Sequence, residues 1–133
     1  MRPVRREELL DLVAYEKSRD AYLARIIDYK RTRRVPVGDR LTFIFENRET
    51  VRFQIQEMLR AERAVKEEKI EDELAVYNEL VPGPNELSAT LMIEITESRR
   101  IRAELDRLIG IDEHVFLEVG ERSVRANNMP GNV

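Results

Sequence analysis

The stretch LTFIFENRETVRFQIQEMLRAER, residues 41–63, decides the fold, because it joins the clearest strand pattern in the chain to its longest helical pattern. Over residues 41–46, aromatic and β-branched side chains alternate with a period of two. This pattern predicts a central or near-central strand, buried on one face and partly covered on the other. Asn47 suits a helix N-cap and Glu49 complements the helix dipole in the first turn. The helix is therefore predicted to begin here and to continue to about Lys66.

The predicted central helix carries a carboxylate within its apolar stripe. At 100° per residue, five apolar residues gather on one side: Val51, Ile55, Met58, Leu59 and Val65. Glu62 falls in the middle of this stripe, and burying a bare charge costs on the order of several kcal/mol. We therefore expect Glu62 to pair with an arginine.

Phe53 lies on the opposite side of the same helix, away from the apolar stripe. Two explanations stay open for this aromatic residue. A second partner surface covers it, or it lies at the rim of the core under a neighbouring loop, since singly exposed apolar residues are common.

Composition limits the classes of protein to be considered. A chain of 133 residues is the size of one ordinary domain, and it contains no cysteine, which excludes disulfides, thiolate metal sites and cysteine nucleophiles. No apolar run is long enough to span a membrane and the N-terminus lacks the apolar core of a secretory signal, so we expect a cytoplasmic protein. Residues 1–40 carry four more cations than anions, whereas the remainder carries seven more anions than cations. This asymmetry indicates attraction within the fold or a basic patch for an acidic partner.

Two helices are predicted before the strand. Residues 6–17 place apolar side chains on one face, and Ser18 and Asp20 then offer a new start for a second helix over about residues 20–33. Pro36 is predicted to enforce the break after the second helix, and residues 37–39, VGD, are predicted to form a turn into the strand.

The remaining elements follow the central helix and complete the predicted fold. They are a charged connection, a helix over about 70–80, a strand over 88–96, a helix over 97–109 closed by Gly110, and a hairpin of residues 115–119 and 123–126. The layout predicts one α+β domain over residues 1–126, with a mostly antiparallel sheet of about four strands packed with about five helices. Residues 127–133 are predicted to be a flexible tail.

The central stretch, together with IEDELAVYNELVPGPNELSATLMIEI at residues 70–95, resembles a family of uncharacterised bacterial proteins known as a domain of unknown function. The resemblance covers nearly the whole chain. It implies a genomic neighbourhood, because such genes tend to lie beside those for a rubrerythrin and an iron–sulfur oxidoreductase, which links the family to oxidative stress. Typical members continue beyond the position that matches Ala126, so we expect a shortened chain with a strand edge able to pair with another chain.

Clustered carboxylates are the sharpest candidates for chemistry. Glu57 and Glu62, with Arg52 beside them, are the candidate catalytic residues, and Glu73 and Glu94 complete the set of acidic side chains that could meet. Such a group could bind a hard cation or transfer protons, but it could equally form an arginine–glutamate network that locks helix to sheet, which we favour.

The sequence contains no recognisable signature of a metal or cofactor site. His114 is the only histidine, and a lone histidine beside a predicted strand is more typical of a surface position than of a metal ligand. Because no GxGxxG, P-loop, GxSxG or HExxH motif occurs, we predict neither a cofactor nor a metal.

The basic run YKRTRR, residues 29–34, is the main candidate interaction segment, with Arg31, Arg33 and Arg34 as its cations. Such a run can meet phosphates or an acidic protein surface, and the acidic overall balance makes nucleic acid the poorer choice. We therefore predict a non-enzymatic accessory or interaction protein that also acts as a homodimer, and the family resemblance implies a rubrerythrin or an iron–sulfur oxidoreductase as its redox partner. Its expected contact surfaces are the Phe53 side of the central helix, the acidic segment of residues 67–73 and the basic run. The alternative is a small metal-dependent or acid–base enzyme that uses the glutamates.

Overall fold

The computed structural model describes residues 1–95 and 97–128. The chain divides into two compact units, Met1–Glu94 and a second unit that begins at Ile95. The predicted extent of one domain, residues 1–126, stays a prediction, as does the flexible tail. Residues 129–133 of that tail lie outside the described residues.

One long helix, α1, spans Leu12–Arg31, where two helices were predicted. Asp11 is its N-cap, and the Asp11 carboxylate accepts a hydrogen bond of 2.7 Å from the Ala14 amide. The Ser18 hydroxyl donates to the carbonyls of Ala14 and Tyr15, at 3.1 and 3.3 Å. The prediction of a new helix start near Ser18 is therefore wrong, because this hydroxyl is satisfied by the preceding turn and the helix continues through it.

Helix α2 spans Arg48–Glu62 and begins as predicted at Asn47. The Asn47 carboxamide oxygen accepts from the Thr50 amide at 3.0 Å, and the Asn47 amide donates to the Thr50 hydroxyl at 2.9 Å, which forms a reciprocal capping box. The helix ends before the predicted Lys66, because Arg63 adopts a left-handed conformation with a φ of 49°. Such a residue terminates a helix by turning the chain out of it.

Helix α3 spans Glu67–Asn78, so much of the predicted charged connection is helical and the expected start near Ile70 is late. The Arg6 guanidinium donates to both carboxylate oxygens of Glu67 at 2.9 and 2.7 Å. Because Arg6 belongs to a short 3₁₀ turn, Arg6–Glu8, this pair ties the N-terminal segment to the first turn of α3.

A three-stranded antiparallel sheet completes the first unit. Its strands are β1, Arg34–Val37; β2, Leu41–Phe45; and β3, Ala89–Ile93, in the order β1-β2-β3. The prediction that the 41–46 stretch forms a central strand is confirmed, and β3 lies within the predicted 88–96 strand. Strand β1 was not predicted, because it contains the proline that was expected to enforce a break; of the predicted turn at residues 37–39, Gly38 and Asp39 do lie in a turn, whereas Val37 ends the strand.

Pro36 is tolerated in β1 because of the register of the strand. The Phe45 amide donates to the Arg33 carbonyl at 3.0 Å, which identifies that pair as hydrogen-bonded. In an antiparallel ladder the hydrogen-bonded pairs alternate, so Pro36, which lies opposite Thr42, belongs to a pair without hydrogen bonds. The amide hydrogen that proline lacks would point away from β2, and the β1–β2 ladder loses nothing.

The two faces of the sheet differ in a way that the sequence pattern does not show. Thr42, Ile44 and Glu46 share the more buried face and are 2%, 9% and 5% exposed. Thr50 of α2 donates to Glu46, which places the start of α2 on this side. The opposite side, here named the apolar face, is only partly buried. It consists of Val35, Val37, Leu41, Phe43, Phe45, Ala89, Leu91 and Ile93.

The core of the first unit is helical for the most part. Val51, Ile55 and Leu59 of the predicted stripe are buried, whereas Val65 is 74% exposed because it follows the end of α2. The other buried apolar residues of the helices and their flanking segments are Val4, Leu9, Tyr15, Ile26, Ala64, Ile70, Leu74 and Leu80.

The second unit contains one helix and a hairpin. Helix α4 spans Ile101–Arg107, shorter than the predicted 97–109, since residues 98–100 form a 3₁₀ turn. Ile101 and Leu105, which were expected to point inward, are 43% and 44% exposed. Gly110, which was predicted to close this helix, has a positive φ of 83° but lies two residues beyond the C-cap residue, Leu108.

The hairpin pairs β4, Phe116–Val119, with β5, Arg122–Arg125, and confirms the prediction at this point. Its two-residue connection begins with Gly120, whose φ is 61°. A positive φ at this position matches the twist of the flanking strands, and glycine adopts it without steric cost.

The α+β class is therefore confirmed, with different counts. Over the described residues the fold has four α-helices and two antiparallel sheets, of three and two strands, instead of about five helices around one four-stranded sheet. In the same part of the chain, no helix combines the length and the apolar character that crossing a membrane requires.

Candidate functional site

Three of the candidate residues, Arg52, Phe53 and Glu57, lie along one line where α1 packs on α2. As residue numbers rise along α1, their partners on or beside α2 fall, so the two helices are antiparallel. We name this line of contacts the helix seam. Its contacts are Glu16 with Arg60, Tyr15 and Arg19 with Glu57, Tyr22 with Phe53, and Tyr29 with the cap residue Asn47.

Glu57 occupies the middle of the helix seam and is held by two residues of α1. Its Oε2 accepts from the Tyr15 hydroxyl at 2.6 Å and from Arg19 Nε at 3.0 Å, and its Oε1 accepts from Arg19 Nη2 at 2.8 Å. The hydrogen bonds from Arg19 lower the pKa of Glu57 below its ordinary value, with a further contribution from Tyr15. Burial raises the pKa of Tyr15, and the hydrogen bond to Glu57 raises it further.

This arrangement favours a structural role for Glu57. A general base needs a lone pair directed at a substrate and a pKa near the working pH. Glu57 has a lowered pKa, and both of its oxygens accept hydrogen bonds from within the protein. The structure therefore supports the predicted arginine–glutamate network at this position.

The other candidate carboxylates do not join Glu57: Glu62 and Glu73 share one lysine, and Glu94 forms an ion pair elsewhere. Glu62 pairs with Lys69 at 3.1 Å, and not with an arginine as predicted, because α2 ends at Glu62 and the first turn of α3 brings Lys69 beside it. Lys69 also binds Glu73 at 3.2 Å, whereas Glu94 pairs with Arg34 at 2.6 Å. No cluster of three or more side chains able to hold a metal ion occurs among residues 1–95 and 97–128.

A cluster of aromatic rings and cations adjoins Glu57 along the helix seam. The rings of Tyr22 and Phe53 stack with their centroids 5.7 Å apart and their planes 21° apart. Three cations lie over these rings: Arg25 at 5.4 Å and Arg52 at 5.8 Å from the Tyr22 centroid, and Lys30 at 5.1 Å from that of Phe53. We name these five residues the aromatic–cation cluster. Each distance falls within the range of favourable cation–π contacts.

The cations of the aromatic–cation cluster have few acidic neighbours. Arg52 lies 3.9 Å from Glu49, at the limit of an ion pair, and donates weakly to the Tyr22 hydroxyl at 3.5 Å. Within the described part of the chain, Arg25 and Lys30 form no ion pair. Of the three cations around this half-buried aromatic stack, Arg52 is therefore the one that has a carboxylate within ion-pair distance among the described residues.

The predicted basic run does not form one continuous patch. Arg31 pairs with Asp28 at 3.7 Å, and Arg34 is taken by Glu94. Arg33 lies over the Tyr29 ring at 5.9 Å and donates to the Phe45 carbonyl at 2.7 Å, so this cation helps to fix β2. Of the predicted interaction residues, Phe53 is the one that the structure places in the aromatic–cation cluster.

Sequence reasoning missed Tyr15, Arg19 and Arg25 as members of the site. Tyr15 and Arg19 lie four residues apart on α1 and both face α2, which is a normal helical spacing. The predicted break at residues 18–20 assigned them to different helices. A single helix over residues 12–31 would have placed Tyr15, Arg19 and Tyr22 on one face.

A second feature missed from the sequence is a buried carboxylate at the end of β2. Glu46 is 5% exposed, and its two oxygens accept from Thr50 at 2.6 Å and Thr90 at 3.1 Å. These hydroxyls connect the start of α2 to β3 through one carboxylate.

Beyond the Glu16–Arg60 pair, the helix seam opens into a shallow groove of about 800 Å³. Its lining combines apolar and charged residues: Leu12, Val13, Glu16, Lys17, Arg60, Ala61 and Arg63. Because Glu16 binds Arg60 with two hydrogen bonds, at 2.7 and 3.2 Å, part of this charge is neutralised within the protein.

Comparison with known proteins places the chain among proteins whose function has not been assigned. Residues 3–132 match the model of a family described as "Protein of unknown function (DUF3501)". A crystal structure at 1.90 Å resolution, of a novel protein of unknown function from Burkholderia pseudomallei K96243, is 43% identical, with a TM-score of 0.88. The alignment covers 93% of this chain and 71% of that chain. No curated protein matches the chain.

Proposed function

This chain belongs to the DUF3501 family, whose function is unknown, so we infer its role from its surface. We propose that it is a non-enzymatic interaction protein that binds an acidic surface of a redox partner. The contact is the aromatic–cation cluster. The observation that carries the proposal is the convergence of three cations on one aromatic stack, with a single carboxylate beside them.

The geometry of the aromatic–cation cluster suits protein recognition. Aromatic residues and arginine are enriched in the centres of interfaces, because they combine apolar area with directed hydrogen bonds. Tyr22 and Phe53 are only half-buried, and the guanidinium of Arg25 keeps its donors available while it lies over a ring. Carboxylates of a partner would complete the ion pairs that the described residues leave open at Arg25 and Lys30.

The partner is proposed to be acidic at its contact surface. Residues 1–40, which supply Tyr22, Arg25 and Lys30, carry a surplus of four positive charges although the whole chain has a net charge of −3. Opposite potentials raise association rates and exclude partners of like charge. The family resemblance implies a rubrerythrin or an iron–sulfur oxidoreductase as this partner, and the cytoplasm is the compartment proposed for the encounter.

Affinity purification with a matched pair of charge variants tests this function. The tagged protein is purified from its native host, and the co-eluting proteins are identified by mass spectrometry. The Arg25→Glu/Lys30→Glu variant reverses two charges in the cluster. Lys17→Glu/Arg63→Glu makes the same change in net charge at the groove.

We expect the wild type and the groove variant to retain a rubrerythrin or an iron–sulfur oxidoreductase that the cluster variant loses. With the purified partner, the cluster variant should bind at least about tenfold more weakly, and the wild-type affinity should fall with added salt. Equal recovery with both variants, or a protein that elutes without any partner, would contradict the proposal. Salt-sensitive retention on DNA that depends on Arg25 and Lys30 would assign the cluster to nucleic acid instead.

A further inference from the structure

Strand β3 is an edge of the three-stranded sheet, and no described strand pairs with its outer side. The Glu46 amide donates to the Ser88 carbonyl at 2.8 Å, and the Glu94 amide donates to the Arg40 carbonyl at 2.6 Å. Ser88 and Glu94 therefore direct their backbone groups toward β2.

The alternation of the ladder fixes the direction of every other backbone group in β3. Thr90 and Met92, like Ser88 and Glu94, face β2, whereas Ala89, Leu91 and Ile93 direct their amides and carbonyls to the outer side. This edge thus offers three donors and three acceptors in one row.

The two edges of the sheet differ in how they are protected. At β1, the outward position of Pro36 has no amide hydrogen, which blocks the addition of another strand. Strand β3, with the sequence ATLMI, contains neither a proline nor a charged residue. An apolar edge strand that contains neither proline nor charged residues pairs readily with another strand.

We propose that β3 pairs with β3 of a second copy of this chain, antiparallel about a two-fold axis through Leu91, and so joins two sheets into one of six strands. In this register Leu91 faces its own counterpart, and Ala89 of one copy faces Ile93 of the other. The three outward residues of each copy then form six backbone hydrogen bonds, two for each of the three facing pairs.

The side chains are self-complementary in this register. Thr90 of one copy faces Met92 of the other, and Ser88 faces Glu94, so no two like charges lie opposite each other. A two-fold contact requires a surface that complements itself, and this register of β3 on β3 meets that requirement.

The apolar face continues across the proposed junction. Ala89, Leu91 and Ile93 belong to this face, so pairing at β3 brings the apolar faces of both copies side by side. Val35 and Val37 of the opposite edge strand, β1, belong to the same face and are 42% and 48% exposed. A stable interface buries about 800 Å² per partner, so exposed apolar residues beside the edge must contribute, and Leu87 and Met92 are 67% and 40% exposed.

The mass in solution gives the first test, since the monomer is 15.7 kDa and a dimer has twice that mass. Light scattering should find a dimer for the wild type. Leu91→Pro removes an outward amide hydrogen, because Leu91 lies opposite Phe43 in a pair without β2–β3 hydrogen bonds. We expect this variant to halve the mass, and the matched control Leu91→Val, which keeps the amide, to leave it unchanged.

Hydrogen exchange tests the same register without any substitution. At high protein concentration the amides of Ala89, Leu91 and Ile93 should be protected, and dilution into the monomer should release them. The amides of Thr90 and Met92 should stay protected at both concentrations, since they bond to β2.

A wild type that remains monomeric at high concentration would overturn the proposal. So would a dimer whose exchange at Ala89, Leu91 and Ile93 does not respond to dilution. Because the aromatic–cation cluster takes no part in this contact, the results of these tests do not depend on whether the proposed function is correct.

Discussion

Arg19 binds Glu57 with two hydrogen bonds across the helix seam, 3.0 Å from Nε to Oε2 and 2.8 Å from Nη2 to Oε1. The side chains of Arg19 and Glu57 are 24% and 27% exposed, so this pair is partly shielded from water. Tyr15, which is 1% exposed, adds a third hydrogen bond to the same carboxylate. The contact between α1 and α2 therefore depends on one carboxylate with several donors as well as on apolar packing.

Removal of the Tyr15 hydroxyl should weaken this contact. Tyr15→Phe keeps the ring and deletes the 2.6 Å hydrogen bond to Glu57, so we expect the free energy of unfolding to fall by about 1 kcal/mol. The control is Tyr22→Phe, whose hydroxyl accepts only a 3.5 Å bond from Arg52 and should matter less. Urea denaturation measures both changes. Equal effects of the two substitutions would show that the bond to Glu57 adds nothing.

The Glu57 carboxylate should make the free energy of unfolding depend on pH. Because the pKa of Glu57 is lowered in the folded protein, the unfolded chain binds this proton more tightly. The contribution is complete above the ordinary value of 4.5 and is lost as the pH falls through the lowered folded pKa. At pH 7 we expect Glu57→Gln to cost about 1–2 kcal/mol, the scale of a hydrogen bond to a charged group.

The comparison of wild type with Glu57→Gln across pH isolates this contribution. The stability difference between the two proteins should be constant from pH 6 to 7 and should shrink below about pH 4.5. Denaturant titrations at each pH give this difference. A stability difference that stays constant down to pH 3 would mean that the charge of Glu57 contributes nothing to the free energy of unfolding.

Glycine should stabilise the end of α2. Arg63 has a φ of 49°, a left-handed conformation that costs a side-chain-bearing residue about 1 kcal/mol, so Arg63→Gly should raise the free energy of unfolding by up to about that amount. Ala61 lies two residues earlier and inside α2, where Ala61→Gly should cost about 1 kcal/mol. The two glycine substitutions should thus move the denaturation midpoint in opposite directions. A loss of stability in both variants would contradict the strain assigned to Arg63.

Removal of the buried Thr50 hydroxyl should lower the free energy of unfolding. Thr50 is 0% exposed, donates to Glu46 at 2.6 Å and accepts from the Asn47 amide at 2.9 Å. Thr50→Val keeps the shape but leaves these groups without their partner, so we expect a loss of about 1–3 kcal/mol. Thr90→Val removes a single bond of 3.1 Å to the same carboxylate and should cost less. Thermal denaturation of the two variants, measured side by side, checks the order.

The elements that were predicted correctly depend on neighbours in the chain. The alternation of residues 41–46 identifies β2, Asn47 caps α2, and Gly120 begins the turn of the hairpin. Each of these signals arises within a few residues, from the strand period, a local hydrogen bond or a positive φ.

The errors arose where distant residues decide the outcome. Ser18 indicated a helix start, but its hydroxyl bonds to the preceding turn of α1, and the contacts of Tyr15 and Tyr22 with α2 lie on either side of the expected break. Pro36 indicated a break in regular structure, but pairing with β2 makes the segment a strand. Glu62 has Lys69 as its partner because the left-handed Arg63 ends α2 and α3 returns beside it.

The candidate site shows the same division. The sequence alone identified Glu57, Arg52 and Phe53 as residues of interest, because charge and aromatic character on an amphipathic helix are visible in the pattern. Their partners were not visible, since Tyr15 and Arg19 lie 42 and 38 positions away from Glu57 in the chain.

The sequence by itself determined the α+β class, the central strand, the start of α2 and the hairpin, because short-range periodicity and capping specify such features. Only the tertiary structure decided that Pro36 lies in an edge strand and that the face of Thr42 and Glu46 is the buried one. It also decided that Glu57 is held by Arg19. The physical reason is that burial and ion pairing depend on which segments pack together, and residues far apart in the chain jointly determine that packing.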